Sequence, residues 1–146
     1  MSVLNHSPAE IVRQFLIKKG LGSDAGATWP VGYSVEPEAP DNVLTIYDKV
    51  GQQHGRTHDD GETQEHHGIQ VRVRYGGSYH PGWLKAKNIH DTFDTDCWNE
   101  TVTIGSDEYM IHGITNTSDV LSIGYEGTSR RRLFVVNALV SVTLLS

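Results

Sequence analysis

One cysteine, Cys97, stands among the 146 residues, so no internal disulfide can form and packing alone must hold the fold. Long apolar runs are also missing. The most hydrophobic stretch, residues 133–145, is broken by Asn137, Ser141 and Thr143 and falls short of the roughly 20 residues that a membrane-spanning helix needs. No membrane partner is expected. Basic residues are scarce: Lys and Arg number 12 against 18 acids, a formal charge of −6, which argues against a protein that works by gripping phosphates. No glycine loop followed by Lys and Ser/Thr cradles a phosphate, and no dinucleotide fingerprint appears. The chain start lacks the charged and apolar segments of a secretion signal, so an intracellular site of synthesis is expected. The Asn-x-Ser/Thr triplets at Asn5, Asn99 and Asn116 then carry no weight.

What is present suits one domain of modal size. Ser7-Pro8-Ala9-Glu10 predicts a capped helix start, Ile11, Val12, Phe15 and Leu16 give it an apolar stripe, and Gly20 ends it after Lys18 and Lys19. Residues 20–40 read as an extended connection with one short strand near 31–35. Residues 42–47 and 69–75 predict two strands. In the second, Ile69, Val71, Val73 and Tyr75 share one side, while Gln70, Arg72 and Arg74 share the other. That predicts a buried sheet face whose reverse is wet or covered by something acidic.

Pro81-Gly82 opens a second helix with Trp83, Ala86, Ile89, Phe93 and Cys97 inward, and Lys85, Lys87, Asn88, Asp91 and Asp94 outward. A hairpin follows: residues 101–104, a turn at 105–108, then 109–111. A further strand alternates Leu121, Ile123 and Tyr125. The final strand, about 132–145, exceeds the usual 5 or 6 residues, which predicts a bend at Asn137 or a reach across to a neighbouring chain. The fold class is α+β: two helices packed on a mainly antiparallel sheet, with a long projecting hairpin loop over about 48–68.

That loop carries the sharpest chemical question. GQQHGRTHDDGETQEHHG, residues 51–68, holds four histidines and four carboxylates. His54 and His58 have helical i, i+4 spacing, and Asp59, Asp60, Glu62, His66 and His67 could complete a zinc or iron shell. Gly51, Gly55, Gly61 and Gly68 interrupt every turn, however, and no apolar anchor lies between Val50 and Ile69, whereas catalytic metals want rigid supports. The expectation is an arm that is solvated or ordered by a partner, with no metal and no cofactor. Ser78, His80 and Asp91 make a triad only on paper. His90 and His112 default to hydrogen-bonded structural roles, and Trp83 and Tyr75 to the core. Arg130, Arg131 and Arg132, the one dense basic cluster, suit equally a solvated turn and an interface. The same holds for the wet strand face bearing Arg72 and Arg74.

The order of pieces resembles a known family. Residues 40–48 (PDNVLTIYD), the glycine- and histidine-bearing loop, residues 67–74 (HGIQVRVR), a Trp/Ala/Ile helix, a hairpin, and residues 131–137 (RRLFVVN) are similar to tailed-bacteriophage tail terminator proteins, also called tail completion or minor capsid proteins. The likeness covers about residues 8–146, with residues 20–32 lacking a counterpart. It implies a non-enzymatic virion protein, made in the bacterial cytoplasm. Copies of it, commonly six, form a ring at the head-tail junction. That ring stops the tail tube and docks to the neck or stopper protein. DNA is then a partner only in transit, and Asp59, Asp60, Glu62 and Glu65, if lumen-facing, would repel its phosphates. The rivals are another neck component such as a stopper or adaptor, a metal-dependent hydrolase using His54 and His58, and a nucleic-acid-binding module using Arg72, Arg74 and Arg130 to Arg132, which the net charge disfavours.

Overall fold

A computed structural model describes residues 4–23, 29–33, 41–56, 63–95, 97–126 and 131–145. Helix α1 spans Pro8–Lys18 and begins as its cap predicts: Ser7 Oγ accepts from the Glu10 amide at 3.3 Å, and Pro8 takes a first-turn position that needs no donor. Gly20, at φ +77°, turns the chain away in the left-handed conformation that glycine adopts without strain. Ala9, Ile11, Val12, Phe15 and Leu16 are buried. At the far end the Lys18 and Lys19 ammonium groups reach the Glu100 carboxylate at 3.0 and 2.7 Å, fastening the helix to a sheet edge.

The seven strands, β1 Val31–Tyr33, β2 Val43–Arg56, β3 Thr63–Tyr75, β4 Trp98–Ile104, β5 Asp107–Asn116, β6 Leu121–Glu126 and β7 Arg131–Leu144, form one sheet. Its order is β1-β2-β3-β7-β5-β4, with β6 also on β7. Only the β1–β2 pair is parallel. This is the α+β class, two helices on a mostly antiparallel, curled sheet. The length of β7 has an internal cause. One edge pairs with β3 from Arg132 to Val140, while the other serves β6 from Arg131 to Val135 and then β5 from Ala138 to Leu144. The strand runs unbroken through Asn137, whose side-chain oxygen accepts from Lys49 and Gln70 at 3.0 and 3.1 Å.

Helix α2 spans Tyr79–Thr95, starting two residues before the expected Pro81, because proline is tolerated inside a first turn. Gly82, Ala86, Ile89, His90 and Phe93 face inward. Trp83 is only half-buried, and Cys97 joins the core from beyond the helix end. Phe15 meets Phe93 at 6.1 Å, so both helices share one core with Leu44, Ile46, Ile69, Val71, Val73 and the even-numbered residues of β7 from Phe134 to Val142. A turn of two residues, Gly105-Ser106, joins β4 to β5, with Ile104 opposite Asp107. Glycine in the first central position at φ +61° is what a type II′ hairpin asks for.

The long loop expected over about 48–68 is not confirmed. Strands β2 and β3 stay paired from Val43 opposite Arg74 out to Arg56 opposite Thr63, with register shifts after Lys49 and after Gln53. Residues 57–62 lie outside the described residues. Apolar alternation arises only where a strand buries one face against something. Beyond His67 the hairpin leaves β7, so the pattern that marks a strand fades while the pairing continues.

Two stability predictions follow from these contacts. A Cβ on Gly82 would sit 2.7 Å from Phe134 Cε2 and 3.1 Å from Tyr75 Cβ. Gly82→Ala should therefore lower stability, because overpacking costs about 1–3 kcal/mol against a helix-propensity gain of about 1. A thermal melt at or above that of the wild type would show that the helix does not approach the sheet this closely. At Glu100, hydrogen bonds from Lys19 and then Lys18 hold the carboxyl below its ordinary value. A depressed folded-state pKa stabilises above the unfolded value and ceases to do so as pH falls through the folded one. The Glu100 side chain is partly exposed, so solvent screens its ion pairs and Glu100→Gln should cost at most about 1 kcal/mol at pH 7. That gap should close below about pH 4; urea titrations giving the same gap at both pH values would refute the linkage.

Candidate interaction surface

The arginines singled out in the sequence divide between two faces of the sheet. Across the register, Arg72 lies opposite Val135, Arg74 opposite Leu133, and Tyr75 opposite Arg132. Neighbours along a strand point oppositely, so Arg72, Arg74 and Arg131 lie on the reverse face and Arg132 on the helix side. Arg74 is 1 % exposed, and its Nε donates to the Asp41 carbonyl at 3.1 Å. Arg131, also buried, approaches the Asp41 carboxylate at 3.5 Å. Around Arg74 the reverse face is thus covered, with Asp41 as an acid against it. The Arg72 guanidinium sits 5.8 Å from the Tyr47 ring centre, and that of Arg132 5.7 Å from Tyr79. Arg130 lies outside the described residues, as do His58, Asp59, Asp60 and Glu62. His54 and Glu65 fall on β2 and β3, Glu65 opposite Gln53, with side chains outside the described set.

At the other end of the same face, His66, Trp98, His112, Gly113, Leu139 and Ser141 border an open groove of about 170 Å³. Trp98 is 65 % exposed and lies over Gly113, where a Cβ would come within 3.0 Å of its ring. His112 is the extra residue of a bulge, since Ile111 pairs with Val142 and Gly113 with Ser141. Bulges aim side chains at rims and sites. The His112 ring is hydrogen-bonded to the Thr143 hydroxyl, as a structural histidine would be.

Strands β5 and β6 follow one another along a single edge of β7. The outer edge of β5 is covered by β4, but no described strand pairs with the outer edge of β6. Leu121 and Ile123 are each 45 % exposed there. Sequence reasoning saw the strand and missed the open edge, which only the order of pairing shows.

Two further groups were weighed in the sequence. Of the paper triad, His80 stacks on Trp83, and Asp91 lies about three turns further along α2, roughly 16 Å away at about 1.5 Å per residue, so the triad is not assembled. His90 does more than expected. Its Nε2 meets the Ser118 carbonyl at 3.2 Å, while its Nδ1 faces Asp91 Oδ1 at 3.6 Å and Asp94 Oδ2 at 3.8 Å. Asn116 Nδ2 donates to Asp94 Oδ1 at 2.8 Å. Lys87 lies 3.0 Å from Asp91, and that hydrogen bond is the main cause of the lowered Asp91 pKa. The signal was the i, i+4 pair His90 and Asp94, overlooked because both acids were assigned outward and the histidine to a structural role.

A scan against protein-family models finds no match to this chain, and no curated protein matches it at a significant level.

The two reverse-face arginines should separate on substitution. Arg74→Ala removes a buried charged group that other groups are arranged around and should cost about 3 kcal/mol, whereas Arg72→Ala, half-buried, should cost no more than about 1. Denaturant midpoints for the pair check this; equal losses would contradict the different burial of the two side chains.

Proposed function

We propose that this chain is a non-enzymatic structural protein of a tailed-phage virion: a tail terminator whose copies form a ring, by resemblance of six, at the head-tail junction. The ring caps the tail tube, docks to the neck and leaves a channel for the genome. The observation that carries this reading is the pair of unfinished β edges. The β2–β3 hairpin runs on past its last pairing with β7 at His67, and β6 offers an outer edge with exposed Leu121 and Ile123. Another copy can complete such edges by strand addition. A heterologous contact of this kind, repeated by rotation, closes into a ring.

Burial refines the interface residues. Arg74 and Arg131 are committed inside the subunit, which leaves Arg72 and Arg132, with Arg130, as the arginines for contact with neighbours. In this reading Asp59, Asp60, Glu62 and Glu65 face the lumen, where carboxylates keep phosphates from adhering. A stopper or adaptor shares the same ring logic and differs in the protein it touches; the hydrolase reading would need His54 and His58 for activity.

Light scattering and negative-stain microscopy of the purified chain, alone and mixed with tail tube protein, test the proposal. Discrete rings, formed alone or on tube contact, are expected, and Leu121→Ser with Ile123→Ser should reduce ring formation at least tenfold while changing monomer stability by no more than about 0.5 kcal/mol, as exposed positions do. A chain that stays monomeric under both conditions, or rings indifferent to tube protein, would overturn the terminator assignment.

A further inference from the structure

We propose that His90, Asp91 and Asp94 form a divalent-cation site of the zinc class at the C-terminal end of α2. The inference stands apart from the assembly role and rests on where three electron pairs point. Ser118 presents a carbonyl oxygen to His90 Nε2 at 3.2 Å, and a carbonyl only accepts, so Nε2 carries the proton. In the neutral ring Nδ1 then bears a bare lone pair. His90 is only 9 % exposed, and its Nδ1 is buried without a hydrogen-bond partner. It faces Asp91 Oδ1 at 3.6 Å and Asp94 Oδ2 at 3.8 Å.

Those separations are too long for hydrogen bonds. They are close to the edge of a coordination shell, since ligands about 2.0–2.2 Å from zinc lie about 3.3–3.6 Å from one another at tetrahedral angles. The three candidate ligand atoms all lie within 4.8 Å of one another. Without a metal ion the neutral ring sets its lone pair against two carboxylates, one of them held by Lys87; with one the three become a ligand set.

The surroundings fit the same conclusion. A metal-bound histidine usually donates its other ring N–H to a carbonyl or carboxylate, as His90 does to Ser118. Asn116 fixes Asp94 from β5, donating to Asp94 Oδ1 at 2.8 Å and to the His90 carbonyl at 2.9 Å, which leaves Asp94 Oδ2 turned to the histidine. The last turn of α2 contains no basic residue, so the negative end of the helix has no side-chain cation to complement it there. Asp91 and Asp94 are about half exposed, which opens the site to ions from solvent, and water can complete the shell.

One imidazole nitrogen with two carboxylates selects zinc or a similar transition ion over calcium or magnesium, which prefer oxygen alone. The ammonium of Lys87, 3.0 Å from Asp91, is the competing cation that the metal must displace. All three ligands belong to α2, so a bound ion would fix His90 and Asp94 in the orientation that meets Ser118 and Asn116.

Isothermal titration of the full folded chain with zinc chloride tests this. One equivalent should bind. Asp94→Asn and Asp91→Asn, both at exposed positions that keep the side-chain shape, should each weaken binding at least tenfold, and His90→Gln should abolish it. Lys87→Ala should tighten binding several-fold, a direction that general destabilisation does not produce. His54→Ala with His58→Ala should leave this equivalent unchanged. No stoichiometric zinc on the folded wild type, or zinc indifferent to Asp91 and Asp94 but lost with His54 and His58, would overturn the proposal.

Discussion

The two-edged pairing of β7 is the constraint on which the rest of the fold depends. A strand of 14 residues can hold β3 along one edge and both β6 and β5 along the other only if it stays extended throughout; it is buried on both faces over residues 133–136 and half-buried on the reverse face from Asn137 onward. That is why residues 133–136 read as a continuous apolar run while polar Asn137, Ser141 and Thr143 alternate with buried residues beyond it. Phe134, Val136, Ala138, Val140 and Val142 supply the face under the helices. Leu133 and Val135 are buried on the reverse. Each fully buried large aliphatic or aromatic side chain contributes about 1.5–3 kcal/mol, so among the described residues no other strand concentrates as much of the stabilisation.

Charge serves that framework from its margins. Lys18 and Lys19 fasten α1 to β4 through Glu100. Lys85, whose pKa is lowered by burial, donates to the Leu21 carbonyl and sits 5.0 Å from the Trp29 ring centre. Arg74 and Arg131 hold the Asp41 segment against the reverse face. With only 12 basic residues in the chain, this internal use leaves few for a ligand. In the proposed ring, an acidic balance of that kind would suit a lumen past which DNA slides better than one that retains it.

What could be read from the sequence follows from which forces leave a local trace. The cap at Ser7, the stop at Gly20 and the alternation through Ile69, Val71 and Val73 act over a few residues, and each appears where expected. The extension of β2 and β3 left no trace, because past His67 the hairpin no longer lies beside β7 and the sequence there carries no period of two. The arginine pair 131 and 132 reads as one basic cluster along the chain, yet the pleat sends the two side chains to opposite faces. His90 was legible as a residue of an amphipathic helix, but its partners Asn116 and Ser118 come from the end of β5 and the joint that follows it. Contacts at such sequence separation have no local signature.

The two edges that end the sheet near β5 differ in a way that bears on assembly. β4 carries Glu100, bridged by two lysines, and such charges discourage another strand from pairing there. In β6, Leu121, Ser122, Ile123 and Gly124 carry no charge and no proline, and a bulge between Ser122 and Gly124 disturbs its line. Isolated subunits with such an edge risk indiscriminate pairing, a liability that a closed ring removes by giving every edge the same partner. The joint at residues 117–120 sets the direction of that edge, anchored by the Thr117 amide on the Asn137 carbonyl at 2.9 Å and by His90 on Ser118. The central strand therefore fixes both the core and the angle at which the open edge is presented. In the proposed ring, a change at Asn137 would be felt in the contact between subunits as well as in the stability of one.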